Sequence, residues 1–268
     1  MFSIIVLIIA SHNDIYDSFI SLWREKIGLI EKGEDIDIDY RFFFVFSDPS
    51  LTVDILCDEA NNSISCKLDE SLEPGIFLKT MAAIRYCSDN FTYNYILRTN
   101  LSSFWNFSVL SLELKQTPIH IGTIFLQYLD KNQLFINSRW EGFFEIIHSV
   151  FPSFGDIFLF LDGAGFLLSR EMIPLLLLSI PEIHYSKLVL LPDDIAITCL
   201  MYYNIIHNSS LRVEIHELLI GKKMIYLEDE NIPLSSEVGF IRNKHNTGDR
   251  KIDIINYKQQ LEMFYMKN

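Results

Sequence analysis

The chain is poor in the residue patterns that mark specialised sites. Its four cysteines (Cys57, Cys66, Cys87, Cys199) contain no CxxC pair, and its seven histidines show neither an HExxH helix nor a His/Cys metal spacing, so zinc chemistry has no anchor. There is no GxSxG elbow, no Walker-type phosphate loop and no GxGxxG turn, which removes the common hydrolase, phosphate-loop and dinucleotide readings. Positive charge is scarce: 22 Lys and Arg stand against 35 Asp and Glu, for a net charge of −13. A sequence-independent grip on nucleic acid or on anionic membrane needs a basic face, and this composition argues against both. No apolar run approaches the roughly 18 residues that cross a bilayer. Segment 1–10 is apolar but lacks a basic n-region and a cleavage-like site; it reads as a buried first strand. A soluble, cytoplasmic protein in a reducing compartment is the expectation.

What the chain does contain is apolar material. Hydrophobic residues make up 49% of 268, enough for the core of one large domain or two closely joined halves. Residues 3–10 form an aliphatic, β-branched run, as a strand covered on both faces requires. A helix is expected over 16–30, where Phe19, Ile20, Trp23 and Ile27 recur at helical spacing. The acidic stretch 31–39 reads as a loop, 41–46 as a second buried strand, and 51–60 as ambiguous. Pro74 and Gly75 precede a helix over 77–87, and 93–97 is a third strand. This strand and helix alternation predicts an α/β fold with a mostly parallel central sheet flanked by helices.

The second half is more mixed. Strands are expected over 119–127, 133–136 and 157–161, with a helix over 141–150. A glycine turn at Gly163, Ala164 and Gly165 is then read as opening a helix over 170–179, with Pro174 tolerated in its first turn. Residues 188–191 read as a strand or extended lead-in, 194–206 as an apolar helix, and 212–215 and 224–226 as late strands.

In open α/β sheets, ligands bind beyond the carboxyl ends of the strands. That rule selects Ser11, His12 and Asn13 after the first strand, Ser47 and Asp48 after the second, the stretch from Arg98 through Asn100 and Ser102 to Ser103 after the third, and the glycine turn after a later one. Asp193 and Asp194 follow Pro192 at the head of an apolar helix. Two readings apply to them. One is helix capping; the other is a general base, with the positive helix end keeping a first-turn carboxylate ionised at neutral pH. One residue can cap while its neighbour works.

The segment Gly163, Ala164, Gly165, Phe166 through Leu168, Ser169 and Arg170 resembles the "GAGF...SR" segment of Fringe-type and β-1,3-galactosyltransferase-like enzymes, glycosyltransferase family 31. Leu191, Pro192, Asp193 and Asp194, with Cys199 and Leu200 beyond them, are similar to that family's "PDD" or "EDV...CL" segment. Glu70, Ser71 through Leu78, Lys79 and Thr80 resemble its "DSY.NLTLKT" helix with a one-residue offset. Tyr95 to Thr99 resembles the "Y.LKT" strand before its DxD motif. All four occur in the family's order.

The resemblance implies a GT-A fold, with a nucleotide-sugar-binding half (about 1–110) and an acceptor-binding half (about 111–268). It also implies inverting transfer from a nucleotide sugar, a UDP-sugar, to a hydroxyl of a glycan. By position, Asp194 matches the family's general base, Asp193 would cap the helix or hold an acceptor hydroxyl, and the glycine turn would let backbone approach the sugar closely.

One departure stands out. Where the family carries three acidic residues, this chain has Asn100, Leu101 and Ser102. Mn²⁺ and Mg²⁺ want charged oxygen ligands, so tight metal binding is not expected here. The basic cluster Arg242, Lys244, His245, Arg250 and Lys251, with Arg98 and Lys79, is the expected substitute for holding a diphosphate. Two functional classes follow: an inverting glycosyltransferase, or a catalytically inactive GT-A relative that binds nucleotide sugar or glycan. Trp105, Trp140 and Phe166 are candidates for stacking on sugar rings.

Overall fold

The computed structural model describes residues 2–32, 38–116, 119–123, 127–130, 138–153, 155–208, 215–218, 221–225, 238–244 and 249–266. In chain order the elements of the first half are β1 (Phe2–Ile9), α1 (Asp14–Lys32), β2 (Ile38–Ser47), β3 (Ile55–Asp58), β4 (Ser63–Cys66), α2 (Gly75–Asn90), β5 (Tyr95–Asn100), β6 (Ser103–Trp105) and α3 (Phe107–Gln116). The second half comprises β7 (Ile121–Thr123), β8 (Gln127–Asp130), α4 (Ser138–Val150), β9 (Ile157–Phe160), β10 (Gly165–Ser169), α5 (Met172–Leu177), α6 (Glu182–Leu188), α7 (Asp193–Asn208), β11 (Ile215–Glu217), β12 (Gly221–Ile225), β13 (Val238–Asn243) and α8 (Arg250–Tyr265).

Eight strands form the central sheet in the order β11-β7-β10-β5-β1-β2-β4-β3. β1 pairs in parallel with β2 and β5, β2 with β4, and β7 with β11. β10 runs antiparallel between β5 and β7, and β3 is an antiparallel edge. The fold is therefore α/β with a largely parallel sheet and flanking helices. The alternation of strand side chains divides the apolar residues of β1 between two cores: Ile5, Leu7 and Ile9 face one, Ile4, Val6 and Ile8 the other. The first core is closed by α2, α4, α5 and α7, through Phe77, Ile147, Ile173 and Ile197 among others. The second is closed by α1, α3 and α8, through Trp23, Leu110 and Tyr257. A strand buried on both faces must be apolar at every position, which is why β1 reads as a continuous run.

Three expectations are corrected. Gly165 opens strand β10 instead of a helix, because Phe166, Leu167 and Leu168 pair with β5 and β7 and are fully buried; the helix after it is the short α5. Residues 188–191 are not a strand. Leu188 ends α6, a tight turn follows in which the Leu191 amide donates to the Leu188 carbonyl at 3.0 Å, and both leucines are apolar because they fill the core. The acidic stretch 31–39 is not wholly a loop, since Glu31 and Lys32 extend α1 and Ile38 and Asp39 begin β2. The strand expected at 133–136 lies outside the described residues. No helix among the described residues is long and apolar enough to cross a membrane.

A second, three-stranded sheet, β12-β13-β6, stands beside the β5 exit. β13 runs antiparallel to β6 and aligns Arg242 with Ser103, far apart in sequence but adjacent in register.

Candidate active site

The direction of β10 decides where the glycine turn sits. Because β10 is antiparallel to β5, Gly165 pairs with Thr99, so the turn lies at the carboxyl end of β5, the edge where such sheets bind ligands. Polar side chains then lock it there. Thr99 Oγ1 and Ser103 Oγ donate to the Ala164 carbonyl at 3.1 and 2.8 Å. Asn100 Nδ2 donates to the Gly163 carbonyl at 2.6 Å, and Arg98 Nη1 donates to the same oxygen. Asp162 closes the turn from its other side, its Oδ1 accepting the Ala164 amide at 2.6 Å.

The glycines make room for protein atoms. A Cβ on Gly163 would lie 2.7 Å from Asp194 Oδ2, and one on Gly165 would strike the ring of Trp105. Trp105 is fully buried, with its indole N–H held by Thr99 Oγ1 at 2.8 Å. Phe166 is buried as well. Both belong to the core and offer no face to a sugar.

The start of α7 supplies the acids. Its first turn is pinned where Thr198 Oγ1 donates to the Asp194 carbonyl at 2.6 Å and accepts the Leu161 amide at 3.1 Å. Asp194 Oδ1 accepts the amide of the next residue, Ile195, at 2.9 Å, while Asp193 turns its carboxylate to Arg98, 2.7 Å away. The expectation that the helix end keeps Asp194 ionised is corrected. Burial and the charge of Asp193 push its pKa up to about 7, against the opposing influence of Arg98 and the Ile195 amide. In this setting desolvation outweighs the helix terminus.

These groups line one cavity of about 310 Å³, together with Ile76, Gln127, Trp140, Phe160, Pro192 and Arg242. Of the residues singled out in sequence, it gathers Arg98, Asn100, Trp140, Gly163, Ala164, Asp193, Asp194 and Arg242. Arg242, brought in by β13, makes its one hydrogen bond among the described residues at 3.5 Å, to Ser103 Oγ. Burial lowers its pKa from the ordinary arginine value and the nearby Asp162 raises it.

The other candidates are engaged elsewhere. Lys79 is fully buried and donates to the Ala10 carbonyl (2.8 Å) and to both Glu70 oxygens (2.9 Å), so its charge is already matched at the β1 exit. Ser11 donates to Glu70 at 3.0 Å. His12 stacks on Phe46 with ring centroids 4.3 Å apart, and Asn13 accepts the Ile15 and Tyr16 amides at the start of α1. Asp48 accepts from Ser50, and the neighbouring Ser47 hydroxyl is buried without a hydrogen-bond partner among the described residues. Ser102 is buried in the turn between β5 and β6, where its carbonyl accepts the Asn243 amide. Arg250 bonds Asp253 at 2.9 Å and lines a separate cavity of about 350 Å³ beside Asn13 and Tyr16. Lys244 is exposed beyond β13, and His245 lies outside the described residues.

A divalent cation does not fit residues 100–102. Asn100 spends its amide on Gly163, the Leu101 carbonyl accepts the Trp23 indole at 2.9 Å, and no carboxylate is present there. Among the described residues no group of three or more His, Cys, Asp or Glu is placed to hold a metal ion. Sequence reasoning missed Asp162, Gln127 and Phe160. An Asp directly before Gly-Ala-Gly is a usable signal, since Asp commonly bonds the backbone two residues on.

No family model matches this sequence, and no curated protein does. The chain is similar in structure to mouse xyloside xylosyltransferase 1 (10% identity, 90% of this chain and 97% of that one, TM-score 0.46). It is also similar to the galactosyltransferase LgtC in complex with donor and acceptor sugar analogs (10% identity, 97% and 96%, TM-score 0.45). A third is a glycosyltransferase involved in glycosylation of the major capsid of PBCV-1 (8% identity, 97% and 100%, TM-score 0.44).

Proposed function

We propose that this protein is a GT-A type glycosyltransferase that moves a sugar from a nucleotide sugar, a UDP-sugar, to a hydroxyl of a glycan acceptor with inversion at the anomeric carbon. The observation that carries this reading is the Asp194 carboxylate. It opens onto the cavity, stands against Gly163, and has its pKa pushed up to about 7, where a base best combines availability with proton affinity. Asp194 takes the proton of the acceptor hydroxyl as that oxygen bonds to the anomeric carbon. The bond to the diphosphate oxygen breaks on the opposite face, and the diphosphate leaves with the electron pair. Arg242, on the cavity wall, offsets the charge that develops there. Residues up to about 110 hold the nucleotide, and those from about 111 onward hold the acceptor.

Because residues 100–102 do not suit a cation, the reaction is metal-independent or only weakly metal-dependent. Release of UDP from a panel of UDP-sugars, with and without EDTA, tests this. Wild type is expected to turn over in EDTA, and Asp194→Asn to lose about 10²–10⁴-fold. Equal rates for the two proteins would remove Asp194 as the base, and activity lost to EDTA and restored by Mn²⁺ would overturn the metal-free route. The missing carboxylates at 100–102 also favour a second reading, an inactive relative that binds nucleotide sugar or glycan. Binding of UDP or glycan by a wild type that turns over none of the donors would select it.

A further inference from the structure

The chain has three tryptophans, and two of them are structural. Trp23 and Trp105 are fully buried, and their indole N–H groups are satisfied by Leu101 O and Thr99 Oγ1. Trp140 differs on each count. It is 37% exposed, its N–H makes no hydrogen bond among the described residues, and it lines the same cavity as Asp194. The ring is propped from behind by Phe143, edge-on at 5.9 Å, and by Phe160 at 6.4 Å, both of them buried. A large aromatic surface held by its neighbours and left open toward a cavity is a preformed platform, because little side-chain freedom is lost when something lies on it.

The rest of the cavity wall says what lies there. Asn100, Gln127, Asp162 and Asp194 line it with amide and carboxylate groups; Gln127 Nε2 donates to Asp162 Oδ2 at 2.8 Å and Asn100 Nδ2 to the Gly163 carbonyl, which leaves their amide oxygens and the Asp194 carboxylate to meet hydroxyls. A body with one apolar face and a rim of hydroxyls matches such a pair of walls: the C–H face rests on the indole while the hydroxyls meet the polar side. That description fits a pyranose ring. With Arg98 paired to Asp193, the carboxylates of Asp162 and Asp194 outnumber the remaining cation, Arg242, among the described residues of the wall, which disfavours a ring carrying its own carboxylate. A volume of about 310 Å³ sits at the lower end for small-ligand sites, which suits one sugar ring and not an extended peptide.

We propose that Trp140 is the acceptor platform, and that the acceptor presents a neutral pyranose to it with the reacting hydroxyl turned toward Asp194. This deepens the transferase reading and rests on it for the word acceptor. The subsite itself is tested without turnover.

Trp140 is the exposed tryptophan, so its emission reports directly on occupancy. Titration of the wild type with methyl galactoside, methyl glucoside and methyl xyloside is expected to produce a saturable emission change with at least one of them. Methyl glucuronide is expected to produce less. Trp140→Phe loses the change. In turnover assays Trp140→Ala raises the acceptor KM at least tenfold and by more than it raises the donor KM, and Trp140→Phe restores part of that loss. Thermal melts check that both variants fold.

An emission change produced by UDP or uridine and by no glycoside would overturn the proposal, as would an unchanged acceptor KM in folded Trp140→Ala. If glycosides bind but no donor is ever turned over, the transferase reading fails and the subsite stands. If donors are turned over and glycosides leave Trp140 silent, the subsite fails alone.

Discussion

Asp193 Oδ2 lies 2.7 Å from Arg98 Nη2, an ion pair closed between the start of α7 and the middle of the central sheet. Arg98 is 2% exposed and also donates to the Gly163 carbonyl. One guanidinium therefore ties the glycine turn to the helix that carries Asp194. The pair also sets the charge around that residue: Asp193 raises the Asp194 pKa and Arg98 lowers it.

Opposite shifts of the pH profile follow. Under the proposed mechanism kcat/KM rises with pH as Asp194 ionises, with an acid limb near 7. Asp193→Asn removes a negative charge beside Asp194 and is expected to move the limb to lower pH. Arg98→Gln removes a positive one and is expected to move it higher. Arg98→Gln also strands a buried carboxylate, at a cost of about 3–5 kcal/mol, which a denaturant melt reads separately. Shifts of the same sign in both variants would refute this electrostatic account.

The two glycines are expected to fail differently when changed to alanine. At Gly163 the new methyl meets Asp194 Oδ2 at 2.7 Å, and a carboxylate can swing away. Activity should fall at least tenfold with a small change in Tm. At Gly165 the methyl meets the buried ring of Trp105, which has nowhere to go. That overpacking should cost about 1–3 kcal/mol, seen as a lower melting temperature. Melts and rates measured on both variants separate the cases.

Lys26 is a third point of test. It is fully buried among Trp23, Phe104, Phe107, Tyr257 and Tyr265, and its Nζ donates to the Trp105 carbonyl at 2.6 Å. Burial lowers its pKa well below the ordinary 10.5. The folded state therefore disfavours the charged form, and stability rises as pH climbs toward the unfolded value. Lys26→Met is expected to stabilise the protein by about 1–3 kcal/mol at pH 7, with a gain that shrinks toward pH 10. Tyr265 still serves the Trp105 carbonyl at 3.3 Å. A melt that shows destabilisation at pH 7, or a gain that grows with pH, would contradict this.

Much of the first half was legible along the chain. β1 is apolar from Ile4 to Ile9 because both of its faces are buried there, and α1 shows Phe19, Trp23 and Ile27 at helical spacing because only one of its faces is. Less of the second half was legible. The run Phe166 to Leu168 is apolar in either a strand or a buried helix, and periodicity over so short a stretch does not separate them. Leu188 and Leu191 show the same ambiguity from a turn. The Asp193 and Asp194 doublet was visible as a helix start, but that Asp193 is the one that pairs with Arg98 was not.

The sequence by itself determined the α/β alternation, the acid doublet at the head of an apolar helix and the absence of carboxylates at 100–102, because each is a local pattern of residue types. Only the tertiary structure decided that Gly165 begins an antiparallel strand, that Arg98 closes on Asp193, and that Arg242 reaches Ser103 across the second sheet. Those outcomes depend on register between segments far apart in the chain. The poise of Asp194 belongs with them, since a carboxyl group's pKa follows from what buries it and which charges surround it, and no residue carries that information alone.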